Sequence, residues 1–453
     1  MNPDVIIIGA GPAGLATATA LLRGGLEPLV LESAERAGGA VTSHRENGFL
    51  VECGPSSLML EKADGTEAFF SDIGLFPQEA ATAAAKRFLV CGGRPVAAPS
   101  GPIGAVTTPL LSFRGKLRIL AEPFSRAAPE EEETVAAFAR RRLGAEVVTR
   151  LIDPMVAGVY AGDAERLSLR HAFPRLLEME QRYGSLVAAG LRKGRAAPRR
   201  RLVNFAGGMA DIPAAMARAL GGERLQTGAV LREITPTPDG WSVVWTCAGE
   251  TRRATARFLL PAIPPWHWSE LPLPDALKRH LLPWQDVVAP PVSVISLGFK
   301  REQVAHPLDG FGMLVPAVEK RKILGTLFPS TLFPDRAPEG HVLLTTFLGG
   351  CRQPELARAD AAVQIGIVRE ELREMLGAQG EPVFTHFRHW PRAIPQYNLG
   401  YGKLLALLDD AEEEYAGLRF CGSYRKGPAL AKTIQHAIAT ARKILVETGR
   451  AKP

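Results

Sequence analysis

The chain has 453 residues, more than the roughly 100–200 that one ordinary domain holds, so two or three domains are expected. With 46% hydrophobic and 22% charged residues, it has the balance of a folded globular protein and neither a disordered nor a fibrous one. The net charge of +7 is diluted along the chain with few aromatics interleaved. That argues against a nucleic-acid partner and suits a basic face towards anionic lipid equally well. Cys53, Cys91, Cys247, Cys351 and Cys421 are odd in number and scattered, so neither a disulfide framework nor a zinc site is implied. The first residues lack the cationic region of a secretory signal, which makes a cytoplasmic chain the expectation.

In chain order, Val5-Ile6-Ile7-Ile8 reads as a buried parallel strand. It runs straight into Gly9-Ala10-Gly11-Pro12-Ala13-Gly14 and an Ala/Leu helix ending near residue 24. This is a GxGxxG in the context that gives it meaning. Gly9 allows the tight turn, Gly11 lets a pyrophosphate approach the backbone, and Gly14 lets helix and strand pack closely, with the helix N-terminus facing the phosphates. A second strand at 28–31 ends in Glu32, placed to accept hydrogen bonds from ribose hydroxyls and to repel a 2′-phosphate, which disfavours NADP. Ser33 follows it, and Arg36-Ala37-Gly38-Gly39-Ala40 adds a second glycine pair for another close backbone approach. No second GxGxxG occurs downstream, so the usual separate nicotinamide site is missing.

Residues 47–57 read as a strand ending in the Gly54-Pro55-Ser56 turn, and 88–90 as a strand just after Lys86 and Arg87. The run 95–113 is uncharged and long enough to span a bilayer on length alone. Its four prolines forbid a continuous helix there. With Arg114, Lys116 and Arg118 on the short amphipathic stretch that follows, it suits a surface dipping into one leaflet. The acids at 130–133 are expected to form the N-terminal turn of a helix at 134–142. The cluster of arginines at 192–201 reads as a solvated loop or as lipid contact. Gly207-Gly208 opens a helix at 212–220, followed by strands at 225–230, 241–245 and 258–260. Further strands are expected at 292–299, 313–315, 323–328 and 342–347, giving a mixed or antiparallel sheet with a helix at 361–376 covering one side. A short strand at 417–424 and a helix at 430–448 close the chain. No convincing Ser/His/Asp or Cys/His arrangement is present.

The double-glycine extension resembles the FAD-binding amine oxidase superfamily. The whole chain then resembles oxygen-dependent, FAD-containing protoporphyrinogen oxidases. The resemblance is carried by Ala157-Gly158-Val159-Tyr160-Ala161-Gly162-Asp163, Lys86-Arg87-Phe88-Leu89, Asn204-Phe205-Ala206-Gly207-Gly208, Gly312-Met313-Leu314-Val315-Pro316, Gly325-Thr326-Leu327-Phe328 and Ile394-Pro395-Gln396-Tyr397, in family order from first strand to last helix. It implies an α/β (α+β overall) chain. Within that chain lie a discontinuous Rossmann-like FAD-binding domain (1–85, 201–264, 411–453), a helical membrane-binding and substrate-entry domain (86–200) and a mixed-sheet substrate domain (265–410). It implies FAD held by Gly9, Gly11, Pro12, Ala13, Gly14, Glu32, Ser33, Gly38, Gly39, Ala40, Gly54, Pro55, Ser56, Val230, Trp390, Gly422, Ser423, Ala429 and Leu430. Arg87 is implied as the partner of a substrate propionate, with Gly158, Leu314 and Phe328 against the macrocycle.

The implied reaction is the six-electron oxidation of protoporphyrinogen IX to protoporphyrin IX, with O2 as acceptor and H2O2 as product, in haem biosynthesis. The implied setting is cytoplasmic, peripherally on the inner face of the cell membrane, with a homodimer and handover to a chelatase as further partners. Three departures stand out. Ala40 replaces a common Arg or Lys, Ser56 a common Asn, and residues 426–432 a glycine-rich turn. Coproporphyrinogen III oxidation, another flavin amine oxidase or desaturase activity, and a non-enzymatic binding relative are the alternatives.

Overall fold

The computed structural model describes residues 2–61, 65–99, 104, 107–125, 131–193 and 200–451. The predicted run at 95–113 and the acids at 130–133 fall partly outside them. The first strand, Val5–Ile8, pairs in parallel with Pro28–Leu31 on one side and Phe258–Pro261 on the other, and Leu225–Gln226 extends the edge. All four residues of Val5–Ile8 are buried, as the unbroken β-branched run requires when both faces of a sheet are covered. Alternate side chains settle on opposite faces. Val5, Ile7 and Val30 pack under the helices Pro12–Arg23, Asp211–Leu220 and Leu430–Glu447. Ile6, Ile8 and Leu29 meet Trp241 and Val243 of an antiparallel three-stranded sheet formed by Val230–Thr237, Gly240–Cys247 and Glu250–Ala256. The first sheet and the layers packed on it are therefore assembled from distant pieces of chain.

Two expected strands differ. The stretch 225–230 is interrupted at Gly228, which has φ +65°, and its halves join different sheets. The stretch 417–424 contributes only a bridge between Leu418 and Leu259 before a helical turn at Ser423–Lys426.

The second sheet has the order Phe384–Trp390, Val292–Lys300, His341–Gly349, Gly325–Leu327, Gly312–Leu314, Phe88–Cys91 and Arg94–Ala97. The last two strands open the 86–200 segment yet complete the sheet of the 265–410 segment, because Met313 and Leu314 pair in parallel with Phe88 and Leu89. One face of this sheet, bearing Ile295, Leu297, Met313 and Leu344, packs on Val368 and Leu372 of the helix Ala361–Leu376. That helix spans the residues read from sequence.

The chain also forms a group of helices that includes Phe113–Leu120, Val135–Leu143, Asp153–Tyr160 and Pro174–Tyr183, of which Asp153–Tyr160 meets Leu314 on the other face of the sheet. The Arg142–Glu122 ion pair (2.5 Å) ties the group together with both side chains shut off from water. Thr134 caps its helix by accepting a hydrogen bond from Ala137 N–H. The described acids before it do not form a helical turn. Glu133 pairs with Arg141, and Glu132 accepts hydrogen bonds from the Ser168 hydroxyl and Gly400 N–H, so they staple neighbouring segments instead.

Candidate active site

Two glycines of the first turn have separate steric reasons to be glycine, and the third faces open space. Gly9 sits at φ +99°, where an added Cβ would also strike Ile263 at 2.6 Å. A Cβ on Gly14 would collide with the Gly9 carbonyl oxygen, so only glycine lets the helix lie on the strand. A Cβ on Gly11 meets nothing within 4 Å. That position opens onto free space, at the N-terminus of a 12-residue helix that no side chain caps. Here the backbone N–H groups and the positive end of the helix dipole can receive a diphosphate.

From Gly11 a rail of close contacts runs through the glycine-rich turns. A Cβ on Gly39 would lie 3.2 Å from the Gly11 Cα, and one on Gly54 would overlap the Ala40 carbonyl oxygen. The Gly38 N–H donates to the Ala10 carbonyl (2.8 Å). The Trp390 indole N–H donates to the Cys53 carbonyl (2.7 Å), joining the second sheet to the Gly54-Pro55 turn. Glu32 stands beside the first turn with its carboxylate accepting from Ala10 N–H (2.7 Å) and Ala34 N–H (2.9 Å). The Ala229 N–H donates to the Glu32 carbonyl (2.8 Å), which brings Val230 alongside, and the Ser33 hydroxyl reaches the Glu32 carboxylate at 3.5 Å.

The C-terminal piece closes the same crevice. The Tyr424 hydroxyl donates to the Pro261 carbonyl (3.2 Å), next to the Ala262-Ile263 pair that walls Gly9. The Tyr397 hydroxyl donates to the Ser423 carbonyl and accepts from Gly427 N–H (2.8 Å), which fixes the segment around Gly422. Ala429 and Leu430 begin an 18-residue helix that likewise has no side-chain cap. A dinucleotide therefore finds two uncapped helix ends, a ribose carboxylate and a glycine-lined path between them. The residues fit the group.

The second sheet roofs this path. In register, Leu89, Leu314, Gly325, Phe347, Val294 and Arg388 form one row across six strands, on the face opposite the Ala361–Leu376 helix. A Cβ on Gly158 would press on Leu314 at 2.5 Å, so the helix Asp153–Tyr160 lies directly against that row. Arg87 continues the Leu89 strand, with its guanidinium over the Phe311 ring (5.2 Å). Among the described residues it has no carboxylate partner. Three of the four expected substrate contacts are thus brought together. The fourth is a correction: Phe328 is fully buried on the other face of the sheet, packed between Phe88 and His306. Its place one residue past the strand Gly325–Leu327 turns the ring into the core.

A model of the family described as flavin containing amine oxidoreductase matches residues 12–445. The chain belongs to that family. Mitochondrial protoporphyrinogen oxidase of Nicotiana tabacum is 33% identical over 469 residues, covering 95% of this chain and 92% of the relative. Coproporphyrinogen III oxidase of Staphylococcus aureus is 26% identical, covering 99% of this chain and 100% of the relative. A solved structure of a candidate protoporphyrinogen oxidase from Exiguobacterium sp. 255-15 superposes with a TM-score of 0.83 over 98% of each chain, at 22% identity. FAD is the cofactor of this flavin oxidoreductase, and the uncapped helix ends, Glu32 and the glycine path are the residues that would hold it.

Sequence reading missed Glu52, a buried carboxylate behind the Gly54-Pro55 turn. It accepts from the Ser43 hydroxyl (2.5 Å), the Asn204 amide (3.1 Å) and Met209 N–H (3.0 Å). Asn204 also donates to the Ser56 carbonyl (2.9 Å), so Glu52 fixes the turn through it. Burial pushes the Glu52 pKa up, against those hydrogen bonds and the nearby Arg336 charge. The signal was local, an acid at the end of a buried strand, but its partners lie far away in sequence.

Proposed function

We propose that this flavin oxidoreductase oxidises protoporphyrinogen IX to protoporphyrin IX, removing six electrons in three two-electron turns. O2 is the acceptor and H2O2 the product. The observation that carries this reading is the apolar row through Leu89, Leu314, Phe347 and Val294 with an unpaired Arg87 at one end, in a chain 33% identical to the tobacco protoporphyrinogen oxidase. Bound FAD supplies the two-electron acceptor.

The chain's own residues provide position and environment. Leu314 and Phe347 present an apolar surface that keeps water from the reacting carbon. Gly158, without a side chain, lets a flat macrocycle lie close to the Asp153–Tyr160 helix. The Arg87 guanidinium takes one propionate and fixes the ring in its plane, which converts binding energy into orientation. Aromatisation is strongly downhill, so clamping one bridge carbon matters more than an acid–base pair.

Purified protein is expected to be yellow, and to turn colourless protoporphyrinogen IX into fluorescent porphyrin with release of peroxide. Yellow protein that leaves the porphyrinogen unchanged refutes the reading. Coproporphyrinogen III is the second substrate reading, supported by the full-length likeness to the staphylococcal enzyme. The ratio of rates on the two substrates decides between them.

The same reading puts the enzyme peripherally on the cytoplasmic face of the membrane. Among the described residues, no helix is long and apolar enough to cross one. Support comes from Phe113, Leu117 and Leu120, exposed on one short helix that also carries Arg114, Lys116 and Arg118, and from Phe124, which is 91% exposed. A hollow of about 710 Å³ lined by Arg118, Phe124, Arg140 and Arg141 adjoins them. Apolar rings in the acyl boundary and cations at the phosphates would dock this edge without spanning the bilayer. A homodimer, and handover of the planar product to a chelatase, belong to the same reading.

A further inference from the structure

Arg388 lies on the edge strand Phe384–Trp390 and ends the row that runs across the sheet from Leu89, whose strand is the last but one on the far side. Five strand spacings separate the two edges of that row, about 24 Å at roughly 4.8 Å each. One tetrapyrrole carboxylate at Arg87 therefore leaves Arg388 at the cofactor end of the roof. Register fixes its direction. Its neighbour Phe387 packs into the core on the helix-covered face, so Arg388 projects from the other.

The residues on either side of it along that face all touch the hairpin that leads into the Gly54-Pro55 turn. Phe384 stacks on Phe49 (4.7 Å between ring centroids) and His386 on His44 (4.8 Å). Trp390 hydrogen-bonds the Cys53 carbonyl, and the Arg388 guanidinium lies over the Trp390 ring at 4.4 Å. The charges of Arg388 and Arg36 both reach the Cys53 thiol. Residues 37–43 carry no charge of their own. Among the described residues Arg388 has no carboxylate partner, whereas the structurally placed Arg142, Arg150 and Arg352 each have one.

We propose that Arg388 is the cation that balances the negative charge which FAD gains on two-electron reduction, held in place by stacking on Trp390. This rests on the oxidase reading for the acceptor of those electrons. Each turn moves two electrons and a proton from the porphyrinogen to the flavin while the porphyrinogen releases a second proton to solvent, and O2 takes up the two electrons with two protons to give H2O2. The role of Arg388 is electrostatic throughout, and no bond to it forms or breaks. A guanidinium parked on an indole keeps its charge and loses little freedom when the anion appears.

The test is the FAD reduction potential of the holoenzyme, measured by dye equilibration without porphyrinogen, for wild type, Arg388→Gln and Arg388→Lys. Arg388→Gln is expected to lower the ratio of reduced to oxidised flavin at a fixed poise by roughly tenfold, about 30 mV for a two-electron couple. Arg388→Lys, which keeps the charge, is expected to stay close to wild type. Thermal unfolding of each variant separates this from damage to the fold. Should the Gln variant not fold, Arg388→Met against Arg388→Lys makes the same comparison. An unmoved potential overturns the proposal. So does a raised porphyrinogen KM at unchanged potential, which would make Arg388 a substrate contact. Wild-type protein that takes up FAD but oxidises no porphyrinogen defeats the oxidase reading and leaves the potential measurement to judge Arg388 alone.

Discussion

Substituting Gly11 separates folding from cofactor binding at a single atom. Its backbone has φ −72° and ψ 177°, an extended conformation open to any residue, and the added Cβ of alanine meets no protein atom within 4 Å. Gly11→Ala should therefore leave the apoprotein as stable as wild type or more so, by about 0.4–1 kcal/mol, because alanine restricts the unfolded chain. The same methyl stands where the pyrophosphate must approach. Overpacking of this kind costs about 1–3 kcal/mol, so FAD affinity should fall roughly 5- to 150-fold at about 1.4 kcal/mol per decade. Gly14→Ala is the contrasting control. Its Cβ would run into the Gly9 carbonyl oxygen, so helix and strand must part and the apoprotein itself should lose stability. Thermal unfolding of flavin-stripped protein and titration with FAD, followed by quenching of flavin fluorescence, read the two quantities. Wild-type FAD affinity in Gly11→Ala would refute the assignment of this turn as the diphosphate cradle.

Arg87→Ala should raise the porphyrinogen KM while leaving flavin reduction at saturation nearly unchanged; unaltered binding removes Arg87 from the site. Glu122→Ala takes from the buried Arg142 guanidinium its closest carboxylate, leaving it Glu180 at 3.5 Å and the Gly184 carbonyl, and takes an acceptor from the Ser185 hydroxyl and from Leu186 and Val187 N–H. It should cost about 3–5 kcal/mol of stability, and a loss under about 1 kcal/mol in chemical denaturation would contradict that. Burial works against the charge on Glu122, but those hydrogen bonds and Arg142 outweigh it and hold its carboxyl below the ordinary 4.5. A carboxyl depressed by folding stabilises above its unfolded pKa, and that contribution is lost as pH falls through the folded value. Wild-type denaturation midpoints should accordingly decline as the pH drops below 4.5, and Glu122→Gln should lack that part of the decline.

The first strand, turn and helix were legible because their information is local. A β-branched run, three glycines at fixed spacing and a following acid dictate a strand, a turn and a helix through backbone sterics within a few tens of residues. The structure gives Gly9 and Gly14 the steric roles their spacing implied and leaves Gly11 facing open space. The periodic helices at 361–376 and 430–447 were equally plain. The porphyrinogen reading came from the order of segments matched to a family, not from physics that one segment contains.

Tertiary structure decided which face each strand shows and what meets there. Leu314 and Phe328 looked alike in sequence, both apolar beside strands, yet the strand register sends one to the face opposite the Ala361–Leu376 helix and the other to the core beneath that helix. Gly228 broke a strand that hydrophobicity alone would continue, because its positive φ redirects the chain between two sheets. Glu52 and Arg388 acquired their meaning only when segments hundreds of residues apart were paired. Side-chain direction in a sheet alternates residue by residue, so a site spread across six strands exists only once the register of every one of them is fixed.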